Sequence, residues 1–137
     1  MEEEQNNNNK KYDFSGREIL LVEDDETLSE LIKTQFKLYG CELSHLSSGQ
    51  GAVNKIKEIK PEIILLDILL PNQNGFDILE EIRNDPEIKD IPVIIISNLD
   101  SEQDLDQAKK LGVRDYLIKS TIVTEEIAEK VKEILEG

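Results

Sequence analysis

The stretch Ile19-Leu20-Leu21-Val22-Glu23-Asp24-Asp25 is a short aliphatic run that ends in three acidic residues. Three later segments have the same form, an apolar run followed by one polar residue: Ile63–Asp67 (IILLD), Val93–Ser97 (VIIIS) and Tyr116–Lys119 (YLIK). Continuous apolar runs of this length are typical of strands that are covered on both faces of a parallel sheet. Because the carboxyl ends of parallel strands meet along one edge, we expect the polar residues to share a crevice there.

Segments with apolar residues at helical spacing lie between and after these runs. They are, in chain order, Leu28–Phe36, Gln50–Lys60, Phe76–Ile82, Ser101–Leu111 and a last helix that Thr124 caps. Cys41–Leu46 alternates loosely and predicts a weaker strand. The alternation of five strands with five helices predicts an α/β fold, a flavodoxin-like doubly wound parallel sheet. We predict the strand order 2-1-3-4-5, because the weaker second and fifth strands suit the edges.

The chain has 137 residues, which is the length of one domain. We expect residues 1–16 to form a disordered tail, since this acidic and asparagine-rich segment offers only Tyr12 and Phe14 for burial. Residues 17–137 then form the domain. The single cysteine, Cys41, cannot form an internal disulfide, and no signal-peptide pattern is present. These features favour a cytoplasmic location.

The charge balance bears on the choice of partner. Sixteen basic and thirty acidic side chains give a net charge of −14. A protein that binds DNA or RNA directly needs basic side chains to neutralise phosphates, so we expect no direct nucleic-acid binding. No apolar run approaches the roughly 20 residues that span a bilayer, so we expect no membrane partner either.

Glu23, Asp24 and Asp67 form the acidic part of the expected crevice. Two unit charges about 4 Å apart repel by about 4 kcal/mol at an effective dielectric constant near 20. Either a cation shares such a site or one carboxylate takes up a proton. Mg²⁺ suits oxygen ligands with open positions for water. The alternative is that Glu23–Glu26 is only an acidic helix-capping turn, but Asp67 on a second central strand, with Lys119 opposite, favours a site.

Lys119 and Ser97 follow strands at the same predicted edge. An ammonium group beside the acids favours contact with a phosphate group. Ser97 is either an ordinary hydroxyl at the end of a strand or a donor to the same phosphate.

Residues 17–137 resemble the receiver domain of bacterial two-component response regulators. The segments that carry the resemblance are Ile19–Asp25, Leu65–Pro71, Gly75–Asp77, Pro92–Ser97 and Asp115–Lys119. Each is weak by itself, whereas all of them in this order and at these separations are specific. The resemblance implies a signalling switch that catalyses its own phosphorylation and dephosphorylation rather than a turnover enzyme.

The resemblance also implies roles for individual residues. Asp67 is the phosphoacceptor, supplied by a sensor histidine kinase or a histidine phosphotransfer protein. Mg²⁺ is held by Glu23, Asp24, Asp67 and the backbone carbonyl of Leu69. Lys119 and Ser97 contact the phosphoryl group.

The output of the switch follows from the same resemblance. Ser97 and Tyr116 are the switch residues, and they alter a surface formed by the fourth helix, fifth strand and fifth helix. A downstream protein binds there, and a phosphorylation-dependent dimer is a further possibility. No output domain pattern follows the last helix, so we expect a stand-alone receiver or, alternatively, a fragment of a longer regulator.

Two residues depart from the family pattern. Ser120 stands where a proline after a cis peptide bond is usual, and Asn98 stands where a small residue is usual. Asn98 is expected to narrow the phosphate entrance or to add a hydrogen-bond donor. Both departures support the alternative of a phosphorylation-independent pseudo-receiver that acts as a binding module, but the intact acid set together with Ser97 and Lys119 counts against it. A further alternative is a phosphatase with an aspartate nucleophile. That chemistry needs an acid two residues after the nucleophile, and Leu69 at this position counts against it. The only histidine, His45, is expected to be an exposed residue on an edge strand.

Overall fold

The computed structural model describes residues 12–137, which form a five-stranded parallel sheet with helices on both faces. The strands are β1 (Ile19–Val22), β2 (Ser44–Leu46), β3 (Ile63–Leu66), β4 (Val93–Ser97) and β5 (Asp115–Ile118). The helices are α1 (Glu26–Leu38), α2 (Ala52–Ile59), α3 (Gly75–Asn84), α4 (Glu102–Lys110) and α5 (Thr124–Glu136). In the described part of the chain, each strand is followed by one helix.

The sheet has the order β2-β1-β3-β4-β5, and all four strand pairs are parallel. The predicted fold class and strand order are therefore confirmed. The register places Val22 beside Leu66, and the backbone N–H of Asp67 donates to the Val22 carbonyl at 3.0 Å. As a result, the acidic residues that follow β1 and β3 lie at the same edge.

The two faces of the sheet bury separate apolar clusters, which explains the continuous apolar runs. Side chains alternate along β1, so that Ile19 and Leu21 face one cluster while Leu20 and Val22 face the other. The first cluster is completed by residues of α1 and α5, including Ile32, Phe36, Ile127 and Val131. The second is completed by residues of α2, α3 and α4, including Ile56, Ile78, Leu79 and Ala108. This double coverage fixes the central strands and thereby the edge that carries the site.

The predicted tail extends too far into the domain, and for residues 12–16 the prediction is wrong. Tyr12 and Phe14 are each 3% exposed. Phe14 stacks on Phe36 with ring centroids 5.3 Å apart, and its backbone N–H donates to the carbonyl of Tyr39 at 2.8 Å. Two large aromatic rings bury enough apolar surface to order a segment that is otherwise polar. The rest of the predicted tail, residues 1–11, lies outside the described residues.

Two local boundaries also differ from the sequence prediction. β2 is confined to Ser44–Leu46, because the three residues before it have no ladder partners in β1. Thr124 is the first residue of α5 rather than its cap, and its hydroxyl donates to Gln35 of α1 at 3.2 Å. Among the described residues, none of the helices combines the length and apolar character that crossing a bilayer requires.

Candidate functional site

The structure brings Glu23, Asp24 and Asp67 together at the carboxyl ends of β1 and β3. One carboxylate oxygen from each of the three lies within 4.8 Å of the others. Glu23 and Asp67 are buried, whereas Asp24 is exposed. Lys119 follows β5, and its Nζ atom lies 2.8 Å from Glu23 Oε1 and 2.8 Å from Asp67 Oδ2. One ammonium group therefore bridges the two buried carboxylates.

The electrostatic balance of this cluster is set by burial and by that ammonium group. Burial raises the pKa of Glu23 to about 7, although hydrogen bonds from Lys119 and from the Asp25 backbone N–H favour the charged form. Burial by itself lowers the pKa of Lys119. The hydrogen bonds to Asp67 and Glu23 and the negative charges of these residues have the opposite and larger effect, so the pKa of Lys119 is raised overall. A buried carboxyl group with a pKa near neutrality depends on nearby positive charge for its ionisation.

The loop after β1 both caps a helix and presents acids to the site. Asp25 Oδ1 accepts a hydrogen bond from the Leu28 N–H at 3.0 Å and is the N-cap of α1. The Asp25 N–H in turn donates to Glu23 Oε2 at 3.0 Å. The two sequence interpretations of this acidic segment thus apply to different residues: Asp25 caps the helix, while Glu23 and Asp24 face Asp67.

Gly75 allows α3 to begin against the backbone of the phosphoacceptor candidate. A Cβ atom on this glycine would lie 2.3 Å from the Asp67 carbonyl oxygen and 2.6 Å from Ile68 Cα. The Gly75 N–H donates to the Ile68 carbonyl at 2.8 Å, and Asn74 caps the helix by accepting from the Phe76 N–H at 2.7 Å. Sequence reasoning gave Gly75 no physical role. The available signal was a capping residue followed directly by glycine.

The ends of β4 and β5 form the second half of the site. Ser97 is fully buried, and its Oγ accepts a hydrogen bond from the Leu99 N–H at 3.2 Å. Lys119 is tied to the same strand end, because its backbone N–H donates to the Ser97 carbonyl at 3.0 Å. The half-buried Tyr116 hydroxyl donates to the Leu99 carbonyl at 2.6 Å. Ser97, Lys119 and Tyr116 are therefore joined through one short segment of chain.

The two departures from the family pattern contact each other. The Ser120 backbone N–H donates to Asn98 Oδ1 at 2.9 Å. The oxygen of this amide therefore supplies an acceptor to the loop. That the side chain narrows the phosphate entrance, or that its NH2 group adds a donor there, stays a prediction. None of the peptide bonds of residues 12–137 is cis, so the Lys119–Ser120 bond is trans. A proline at position 120 would have no N–H for this contact.

The donor set fits a magnesium ion. Three carboxylates offer hard oxygen ligands, and the exposed Asp24 gives access to water molecules that would complete the coordination. The Leu69 N–H donates to Asp67 Oδ1 at 3.4 Å, so the Ile68–Leu69 peptide lies next to the acidic cluster. The role of the Leu69 carbonyl as a ligand stays a prediction.

Comparison with known proteins identifies the family. The sequence model described as response regulator receiver domain matches residues 19–132. The chain belongs to this receiver family. This receiver is 31% identical over 119 residues to the protein PilH of Pseudomonas aeruginosa, covering 87% of the chain and 98% of PilH. It is also 31% identical over 110 residues to RpaA of Synechocystis, described as a DNA-binding transcriptional regulator. There the match covers 80% of this chain but only 46% of RpaA.

Two solved structures with the same fold are described as a receiver domain and a response regulator. The signal receiver domain of a histidine kinase from Syntrophus aciditrophicus matches with a TM-score of 0.80 and 29% identity, covering 89% of this receiver and 92% of that chain. The Mn(2+)-bound form of response regulator Rcp1 matches with a TM-score of 0.73 and 32% identity, covering 86% and 91%. The family resemblance predicted from the sequence is confirmed.

Proposed function

We propose that this receiver accepts a phosphoryl group on Asp67 from the phosphohistidine of a sensor histidine kinase or a histidine phosphotransfer protein. The observation that carries the proposal is the Lys119 ammonium, held 2.8 Å from the carboxylates of both Asp67 and Glu23 at the ends of two central strands. This placement sets a nucleophile and a positive charge side by side in a site that is open at Asp24.

The transfer requires one bond to form as another breaks. An Asp67 carboxylate oxygen bonds to phosphorus while the bond between phosphorus and the imidazole nitrogen breaks, and that electron pair leaves with the imidazole. Lys119 moves no proton but balances the negative charge of the transferred oxygens. Ser97 donates its hydroxyl to one of those oxygens. When bound by Glu23, Asp24, Asp67 and the Leu69 carbonyl, Mg²⁺ supplies further charge neutralisation.

The output passes through the segment that joins Ser97 to Tyr116. A phosphoryl group that engages the Ser97 hydroxyl shifts the chain at Leu99, whose carbonyl accepts the Tyr116 hydroxyl. Movement of this ring alters the surface of α4, β5 and α5, where a downstream protein binds. We place the phosphoryl transfer and the binding of the downstream protein in the cytoplasm. The net charge of −14 gives no support to direct binding of nucleic acid by this chain.

Phosphorylation by a small-molecule donor tests the proposal. The purified chain is incubated with Mg²⁺ and either acetyl phosphate or phosphoramidate, and intact mass spectrometry measures the addition of one phosphoryl group. We expect one group on the wild type and none on Asp67→Asn. Asp106→Asn, an exposed acid on α4, is the matched control and should be phosphorylated normally. An unmodified wild type would favour the phosphorylation-independent binding module, and a modified Asp67→Asn would place the acceptor elsewhere.

A further inference from the structure

One buried polar side chain has no role in the proposed transfer. Among the described residues, the buried polar or charged side chains are Glu23, Ser29, Asp67 and Ser97. Three of these belong to the site, but Ser29 lies on α1 and is 1% exposed. Its hydroxyl donates to the backbone carbonyl of Glu23 at 3.4 Å. The contact is long, and a second group approaches the same carbonyl more closely.

That second group is the imidazole of His45 on the edge strand β2. His45 Nε2 lies 2.8 Å from the Glu23 carbonyl oxygen and 3.2 Å from Ser29 Oγ. A carbonyl oxygen only accepts, so we assign the hydrogen to Nε2, which donates to it. The expectation that His45 is merely an exposed strand residue is wrong, because its ring is partly buried and bonded. Edge-strand pairing supports this placement, since the Glu23 N–H donates to the Leu46 carbonyl at 2.9 Å.

The contacted carbonyl belongs to the peptide unit that joins Glu23 to Asp24. This unit is planar, so fixing the direction of its carbonyl also fixes the Cα atoms on both sides. The two flanking side chains supply two of the three clustered carboxylates. Glu23 and Asp24 thus lie at the two ends of one peptide plane. The carbonyl of that plane accepts hydrogen bonds from His45 and Ser29, which fix its orientation.

We propose that His45, assisted by Ser29, is a positioning residue that orients the Glu23–Asp24 peptide for cation binding. It touches neither the cation nor the phosphoryl group and acts only through the Glu23 carbonyl. The inference rests on the proposed role of Glu23 and Asp24 as Mg²⁺ ligands. Hydrogen bonds that orient metal ligands are commonly worth 10- to 100-fold in metal affinity. The effect should therefore appear in binding of the ion itself, before any phosphoryl donor is added.

Calorimetric titration of the full chain with Mg²⁺ alone tests the inference. We expect His45→Leu, which deletes the donor, to raise the dissociation constant about 10-fold. His45→Gln retains an N–H at similar reach and should bind Mg²⁺ as the wild type does. Ser44→Ala is the matched control, because Ser44 neighbours His45 on β2 but points to the opposite face of the sheet. It should leave the affinity unchanged. If His45 had only a structural role, replacing it would lower the denaturation midpoint, and the Leu and Gln variants would bind Mg²⁺ with the same affinity.

Several outcomes would overturn the inference: unchanged affinity in His45→Leu, equal losses in the Leu and Gln variants, or a wild type that binds no Mg²⁺. If His45→Leu does not fold, Ser29→Ala decides, since it removes one donor to the same carbonyl. Ser29→Ala should weaken Mg²⁺ binding by a smaller factor, and unchanged affinity would count against the proposal. A wild type that binds Mg²⁺ but accepts no phosphoryl group would refute the proposed function and leave the positioning role intact.

Discussion

At the carboxyl ends of the strands, the half of the site formed by β1 and β3 and the half formed by β4 and β5 are built from different kinds of interaction. The first half, the charged edge, carries two buried carboxylates that lie 2.8 Å from the Lys119 ammonium, which reaches them from the end of β5. The second half, the neutral edge, is held mainly by neutral hydrogen bonds, including those from the Tyr116 hydroxyl and the Ser120 N–H. Losing one partner of a buried charge is costly, whereas exchanging one neutral hydrogen bond for another changes the free energy little. The charged edge is therefore suited to fixing the chemistry, and the neutral edge to moving in response.

Removing the ammonium should produce the largest effect on the charged edge. Lys119→Met keeps most of the side-chain volume but leaves two carboxylates without their shared cation. We expect phosphorylation by phosphoramidate to slow by about 100-fold or more, the scale found when a charge-stabilising group is deleted. The rate of mass increase measures this.

Lys130→Met is the matched control for that variant. Lys130 pairs with Asp115 at 3.3 Å in a more exposed position away from the acidic cluster. Its loss should leave the rate near that of the wild type. Equal rates in Lys119→Met and the wild type would show that the charged edge does not carry the chemistry.

The dependence of stability on pH should also reveal the charged edge. Glu23 has an ordinary pKa of 4.5, and burial raises it to about 7 in the folded protein. Between these values the folded state binds the proton more than the unfolded state does, so the contribution of Glu23 to stability is full below 4.5 and is lost as pH rises through about 7. Without divalent cations, the free energy of unfolding of the wild type should therefore fall across this window relative to Glu23→Gln. Urea denaturation at several pH values measures the difference.

Added Mg²⁺ should reverse that trend. As proposed above, the ion is held by ionised carboxylates, so its affinity should rise as pH rises through about 7, where the folded protein releases the proton from Glu23. Parallel stability curves for the wild type and Glu23→Gln would contradict the raised pKa. A Mg²⁺ affinity independent of pH would contradict the role of Glu23 as a ligand.

The charged edge could be predicted from the sequence far better than its surroundings. Each of its residues follows an apolar run, so parallel strand geometry alone brings Asp67 and Lys119 to one place. The unequal burial of Glu23 and Asp24 could not be predicted in this way, because the two are adjacent in sequence and chemically alike. It depends on how the peptide between them is oriented, and the carbonyl of that peptide contacts His45, which is 22 residues from Glu23 in sequence.

Contacts between loops were the other limit of sequence-based prediction. The hydrogen bond between Asn98 and Ser120 joins loops that follow different strands, and no periodic pattern indicates it. The packing of Tyr12 and Phe14 was missed for a related reason. Average composition marked their segment as polar, but two aromatic rings that meet Phe36 and Tyr39 are sufficient to order it.

The smallest expected effect lies on the neutral edge. Asn98→Ala removes the acceptor for the Ser120 N–H, which adjoins Lys119, so the ammonium should be less well held. A net hydrogen bond of about 0.5–1.5 kcal/mol corresponds to a fall of about 2- to 10-fold in the phosphorylation rate. Ser120→Ala is the control, because it retains the backbone N–H and should react as the wild type does. An Asn98→Ala rate as low as that of Lys119→Met would mean that the two edges act as one unit. An unchanged rate would mean that the Asn98 amide does not position the lysine.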